Sequence, residues 1–292
     1  MTAGRDHPPG EVRPPLTLGD VRVRFLCGGR LSLDGGAMFG IVPRTLWERV
    51  AKPDEAHRVA LGTCCLLVET GGRRIVVETG IGDKYDERDR RIYALSDHWL
   101  ADSLAAVGVD PAEIDLVVLT HLHFDHAGGA TRRGAAGRAA PTFPRAAYVV
   151  PRGEWDDART GHYVMSGTYR EENLAPLEAS GRLSLVSGEA EIAPGVRVLP
   201  LPGHTRHQQG VRVHGGGRTL LHLADLMPTS AHVGLRYNMA YDLLPYENMR
   251  TKERMLSEAV AGGWTLLCGQ DAAWPTWRAQ GGAKGIELHR EQ

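Results

Sequence analysis

The chain has 292 residues, enough for one large domain or two small ones. Its 34 basic and 35 acidic residues leave a net charge of −1, so no strong field draws it to nucleic acid or to a membrane surface. Apolar residues make up 42% and charged residues 24%, the balance of a soluble globular enzyme, and no apolar run approaches the ~18 residues that a membrane span needs.

Residues 1–19 are polar and proline-rich without a hydrophobic centre, which predicts a loose leader and not a signal peptide. Residues 20–292 are expected to form one domain. Val21–Phe25, Thr63–Glu69 and Arg74–Glu78 have the composition of strands, the last two joined through Gly71-Gly72 as a tight hairpin. Cys64 and Cys65 point to opposite faces of such a strand, and no CxxC spacing occurs. Reduced, mostly buried thiols in the cytoplasm follow for these two and for Cys27 and Cys268. Gly35–Trp47 is a glycine-marked loop bearing Met38, Phe39, Ile41 and Trp47, suited either to a flap over a pocket or to covering the core. Ser96 is the expected N-cap of a helix to Val107, with Trp99, Leu100, Leu104 and Val107 on one stripe.

Asp115–Leu119 is short, continuous and apolar, the pattern of a buried strand. Thr131–Ala140, rich in Gly, Ala and Arg, predicts a mobile solvated loop. Helices are expected at Gly153–Arg159, Tyr169–Ser180 and Asn248–Ala261. Strands are expected at Leu183–Val186, Val196–Leu199, Gly210–Val213 and Thr219–Ala224, with Trp264–Cys268 as the last. Two batches of strands, each relieved by helices, imply a layered α/β sandwich.

Directly after strand 115–119 come His121, His123, Asp125 and His126, followed by Ala127-Gly128-Gly129. Imidazole is the usual ligand of zinc-like ions, and carboxylate adds charge neutralisation. In extended chain, positions 121, 123 and 125 share a face, and at a strand-to-helix turn His126 swings toward a second centre. The two glycines let the backbone bend tightly past the ions. His204 in a Pro-Gly-His-Thr turn and Asp225 at the end of a strand join this cluster as third and bridging ligands.

The HxHxDH run at 121–126, GHT at 203–205 and the strand-ending Asp225 together resemble the metallo-β-lactamase superfamily, over roughly residues 20–275. Residues 34–47, 78–84 and 223–232 resemble its branch of N-acyl-homoserine lactone lactonases and related small-ester hydrolases. The resemblance implies a four-layer αββα sandwich and zinc as cofactor, one ion or two. It places His121, His123 and His204 on the first ion and Asp125 and His126 on the second, with Asp225 bridging both. Glu78 would orient a ligand histidine. Two positions depart from the pattern. Gln270-Asp271 stands where the family has a His-Asp pair, so Gln270 would bind through its amide oxygen, giving an oxygen-rich second site that tolerates manganese or iron. Gln208, with His207 beside it, stands where a supporting histidine is usual.

The implied reaction is hydrolysis of a lactone, ester or other small acyl compound. A bound water whose pKa falls from about 15.7 toward about 7 is the nucleophile, and Asp125 is the proton shuttle. Related lactonases place a tyrosine at the position of Pro228; Tyr241 is the candidate in its stead, against a favoured role in core packing. His222 is expected to face away from Asp225, and His232 to line the pocket or lie solvated in its loop. The alternatives are phosphodiester or phosphotriester hydrolysis on the same metals, di-iron redox chemistry and an inactive ligand sensor. A small-molecule substrate is expected, with no nucleic acid or membrane partner; a homodimer is left open.

Overall fold

Leu66, Leu67 and Val68 are consecutive and all fully buried, yet Leu67 packs into one hydrophobic cluster and its two neighbours into another. A strand turns successive side chains to opposite faces, so this run must be covered on both sides. Leu220 and Leu221 divide in the same way, as do Leu266 and Leu267.

The computed structural model describes residues 14–134, 137–161, 167–273, 275–282 and 285–291. The first sheet begins with β1 (Leu16–Leu18), β2 (Val21–Asp34), β3 (Arg58–Thr70), β4 (Arg73–Val77) and β5 (Leu116–Val118). After a separate hairpin of β6 (Thr131–Arg133) and β7 (Ala139–Pro141), it continues with β8 (Ala147–Pro151) and β9 (Leu183–Val186). The second sheet runs in order through β10 (Ala190–Ala193), β11 (Val196–Pro200), β12 (Gln209–Gly215), β13 (Arg218–His222), β14 (Thr265–Leu267), β15 (Thr276–Gly282) and β16 (Gly285–Arg290). Pairing is parallel from β4 through β9 and again between β13 and β14, and antiparallel elsewhere.

The short helices α1 (Gly35–Phe39), α2 (Arg44–Trp47) and α3 (Glu87–Tyr93) lie in connections of the first sheet. Then come α4 (Leu100–Ala106), α5 (Phe124–Ala127), α6 (Arg152–Arg159), α7 (Glu171–Ala179) and α8 (Pro245–Gly262). Leu100 and Leu104 of α4, Trp155 of α6, and Leu174 and Leu177 of α7 cover the outer face of the first sheet. Met255, Leu256 and Ala259 of α8 cover the outer face of the second. Between the sheets pack Val23, Leu66, Val68 and Val118 against Val198, Val211, Leu220 and Leu267. The order helix, sheet, sheet, helix is the expected αββα sandwich.

Several local expectations change. Leu16–Leu18, inside the expected leader, pair with Val21–Val23 as an edge strand; residues 1–13 lie outside the described residues. Ser96 caps no helix: its Oγ accepts from Arg30 N, and the helix starts at Leu100 after Trp99. Thr131–Arg133 and Ala139–Pro141 pair as a hairpin where a solvated loop was expected, with residues 135–136 outside the described residues. The second sheet gains β10 and does not end at residue 268, because β15 and β16 extend it as a hairpin. Among the described residues no helix is long and apolar enough to cross a membrane.

The flap expectation resolves toward the core. Asp34 caps α1 through a 2.8 Å bond from Ala37 N, and Met38, Phe39 and Trp47 are all buried. Phe39 stacks between Trp47, at 5.4 Å, and the His232 ring, at 4.7 Å. His232 is neither pocket lining nor solvated: its two ring nitrogens meet Thr229 Oγ1 and Met38 O, and burial pulls its pKa down to about 4.

Candidate metal centre

Five strands end around one place: β4 before Glu78, β5 before His121, β11 before His204, β13 before Asp225 and β14 before Gln270. Two of these ends carry backbone that favours glycine, with Glu78 at φ 64° and Ala224 at φ 50°. Such left-handed non-glycine residues cost of order 1–3 kcal/mol and persist where surrounding structure fixes them. Gly128 and Gly129 serve close approach: a Cβ on them would lie 2.0 Å from Ile81 O and 2.1 Å from Thr79 O. Their lack of side chains lets the histidine loop lie directly on residues 79–82.

His121, His123 and His204 each present one ring nitrogen within 4.8 Å of the others. His123 Nδ1 and His204 Nε2 are 2.9 Å apart. His121 meets Thr120 Oγ1 through Nδ1, and its Nε2 is buried with no hydrogen-bond partner. His204 Nδ1 donates to Asp242 Oδ1 at 2.9 Å, while Asp242 Oδ2 accepts from Met239 N. That bond fixes the tautomer in which Nε2 faces the cluster. Burial, reinforced by the neighbouring imidazoles, holds His121 and His123 well below the usual histidine pKa. Burial acts the same way on His204, but Asp242 and Asp225 outweigh it and raise its pKa. Three converging imidazoles, one with an orphaned buried nitrogen, fit a zinc-like cation.

A second set adjoins the first. His126, with His121 and Asp225, forms another group whose donor atoms lie within 4.8 Å of one another. Asp225 spans the two sets, with Oδ1 3.3 Å from His126 Nε2 and Oδ2 3.5 Å from His204 Nε2. Burial opposes charge on both His126 and Asp225, yet mutual attraction prevails. The carboxylates of Asp225, Asp125 and Glu78 raise His126, and His126 and His204 hold Asp225 low. Burial pushes Asp125 up, and Asp225 adds to this against the pull of His126. Gln270 directs Nε2 into this set, 2.8 Å from Asp125 Oδ2.

A family model for the metallo-beta-lactamase superfamily matches residues 59–269, which include both sets. The chain belongs to the metallo-beta-lactamase superfamily. Several known proteins resemble it. A probable metallo-hydrolase of Mycobacterium tuberculosis is 28% identical over 88% of this chain and 86% of its own. A structure of a probable metal-dependent hydrolase from Staphylococcus aureus superposes with a TM-score of 0.86 at 29% identity, covering 95% of this chain and 99% of its own. An N-acyl homoserine lactonase of a Bacillus species is 28% identical over 51% of this chain and 57% of its own. The dizinc quorum-quenching lactonase AidC, in complex with its product, shares the fold at TM-score 0.80 and 18% identity, covering 96% of this chain and 97% of its own. The protein is therefore a metal-dependent hydrolase.

Within this metallo-hydrolase the predicted ligands His121, His123, Asp125, His126, His204, Asp225 and Gln270 are brought together. Glu78 plays its expected part, accepting from His126 Nδ1 at 3.1 Å and from Thr120 N at 2.9 Å. Gln208 is fully buried, whereas His207 is exposed beside Asp157. His222 does not face away. It ends β13 on the inter-sheet face, close enough to Glu78, His126 and Asp225 to feel their charges, and burial pulls it down to about 4. Tyr241 is no core residue: it is 40% exposed. Partial burial, with Asp34, Tyr93 and Asp125 nearby, lifts its phenol to about 12.

Sequence reasoning missed two supports. Glu154 of α6 accepts from Leu122 N and the Tyr169 hydroxyl through Oε1, and from Thr205 Oγ1 through Oε2. It thereby ties the His121–His123 loop to the His204 turn. Asp242 is the second, 38 residues from the histidine it orients. No local pattern marks either of them; Thr205 beside His204 was the one visible trace.

Proposed function

We propose that this hydrolase cleaves a small uncharged acyl compound, a lactone or ester, with zinc as its resident ion. The observation that carries this reading is the convergence of His121, His123 and His204, the first and last of them buried, beside the Asp125 carboxyl. A cation held by the three imidazoles would supply Lewis acidity to water and to the substrate carbonyl. The chain's own groups do the rest. Asp242 and Thr120 hold His204 and His121 in orientation. Asp125, with its proton affinity raised by burial, takes the proton of the attacking water and returns it to the leaving oxygen. Tyr241, at the rim and within the field of Asp125, offers a hydroxyl to the alkoxide that leaves.

The surroundings favour a neutral substrate over a phosphate ester. Arg170, which lies 4.5 Å over Tyr85 and 5.9 Å over Phe124, is paired with Asp89. Lys84 is buried and donates to the carbonyls of Gly128 and Thr131. Both charges are already engaged, Arg170 by a carboxylate and Lys84 by backbone carbonyls. The lactonase relatives support the acyl assignment.

The test is turnover of a p-nitrophenyl ester, a γ-lactone and a phosphodiester by protein supplied with zinc. Ester or lactone hydrolysis that falls at least 100-fold in Asp125→Asn, with zinc content unchanged, supports the reading. Turnover of the phosphodiester alone would overturn it.

A further inference from the structure

The second set of groups is crowded by a donor. Gln270 Nε2 lies 2.8 Å from Asp125 Oδ2, 3.3 Å from His126 Nε2 and 3.4 Å from Asp225 Oδ2. These three atoms are the ones that would converge on a second cation, and an amide NH₂ has no lone pair to offer one. Its two hydrogens go to Asp125 Oδ2 and Asp225 Oδ2, acceptors that a cation would otherwise gather.

The Gln270 backbone is held on both sides. Its N–H donates to Pro228 O at 2.9 Å, and its carbonyl accepts from Gly62 N at 3.1 Å. The next residue, Asp271, is anchored by Ser230 and by Trp277 Nε1 at 2.7 Å. The Gln270 side chain is almost wholly buried, and its Oε1 has no hydrogen-bond partner. Reversing the amide would aim the oxygen at the carboxylates of Asp125 and Asp225 and give up the two bonds that the NH₂ makes to them. A neutral amide oxygen is also a poorer ligand for zinc-like ions than the imidazole it would stand in for.

We infer that Gln270 closes the second centre: its NH₂ ties Asp125 to Asp225 where a cation would sit, and the enzyme works on one ion. Asp125 is then not a metal ligand but a proton carrier held in place by Gln270. This rests on the preceding reading of His121, His123 and His204 as the first centre, and the two are separable by counting ions.

The experiment is equilibrium dialysis of the metal-free protein against Zn²⁺, with metal analysis and no substrate. Wild type should saturate at one ion per chain. Gln270→His should take up two, its second affinity rising by about 10–100-fold, taking the cost of lost ligand support as a guide. Two ions of similar affinity in wild type would overturn the inference while leaving the first centre standing. One ion in both proteins would also overturn it, because Gln270 would not be the cause. No ion in wild type would overturn the first centre and this inference together. A wild-type count of two overturns the inference even if the histidine variant fails to fold, and with a count of one Gln270→Glu, which has a ligating oxygen and no NH₂, takes its place and should bind two.

Discussion

Removing the Glu154 carboxylate should loosen the metal centre without touching a ligand. Glu154→Ala strands three buried groups: Leu122 N at 3.1 Å, and the Tyr169 hydroxyl and Thr205 Oγ1 at 2.7 Å each. Each unpaired buried group costs about 1–3 kcal/mol, so about 3–9 kcal/mol is expected in total. This is a large share of the roughly 5–15 kcal/mol by which a domain is stable. Leu122 lies between two ligand histidines and Thr205 follows a third, so zinc affinity should fall with stability, by about 10–100-fold. Glu154→Gln is the control. Its Oε1 still serves Leu122 and Tyr169, and its NH₂ donates to a Thr205 hydroxyl that rotates to accept. Burial raises the Glu154 pKa above the usual 4.5, so the folded state holds its proton more tightly than the unfolded state. The stability this group contributes is full below pH 4.5 and is lost as pH rises through the raised folded value. Glutamine, fixed in the protonated shape, escapes that loss, so its stability relative to wild type should improve as pH rises. Urea unfolding across pH, with zinc titration at neutral pH, checks both variants. An alanine variant within about 1 kcal/mol of wild type and unchanged in zinc affinity would refute the reasoning.

Other perturbations separate neighbouring roles. Asp242→Ala should free the His204 ring and weaken zinc binding by about 10–100-fold, read by chelator competition. Phe39→Ala should cost about 3–5 kcal/mol in urea unfolding because it empties the stack between Trp47 and His232. Ile41→Ser, at a residue 87% exposed in the same segment, should stay within about 0.5 kcal/mol. Tyr241→Phe should lower kcat on a lactone roughly tenfold or more while leaving zinc content and KM unchanged; an unchanged kcat would remove Tyr241 from the reaction.

The residues that hold the site were legible where chemistry and position coincide in a short stretch. His121 to His126 follow a continuously apolar strand, and the turn at His204 and the strand end before Asp225 were visible once that cluster was known. The supports were not legible, because Glu154 and Asp242 meet their partners only through the packing of α6 and of the loop before α8. His222 was misplaced for a different reason. Counting alternation from Asp225 assumes one unbroken strand, but β13 ends at His222 and Ala224 turns through φ 50°. Local capping also misled: Ser96 has the right side chain for an N-cap, yet Arg30 N claims its hydroxyl. The closing hairpin escaped notice because Thr276–Gly282 carries a charged and glycine-rich face with little apolar alternation. The layers themselves followed from two batches of strands relieved by helices, and the structure gives the reason in runs such as Leu66–Val68 and Leu220–Leu221, which a strand can bury only between two covers.

Everything proposed for the reaction depends on a cation at the first histidine set. Anomalous diffraction at the zinc edge, from crystals grown with zinc, locates it directly. The account predicts a strong peak ligated by His121, His123 and His204, and only background beside Gln270. A peak held by Asp125, His126 and Asp225 alone, or none within reach of His121, would contradict it.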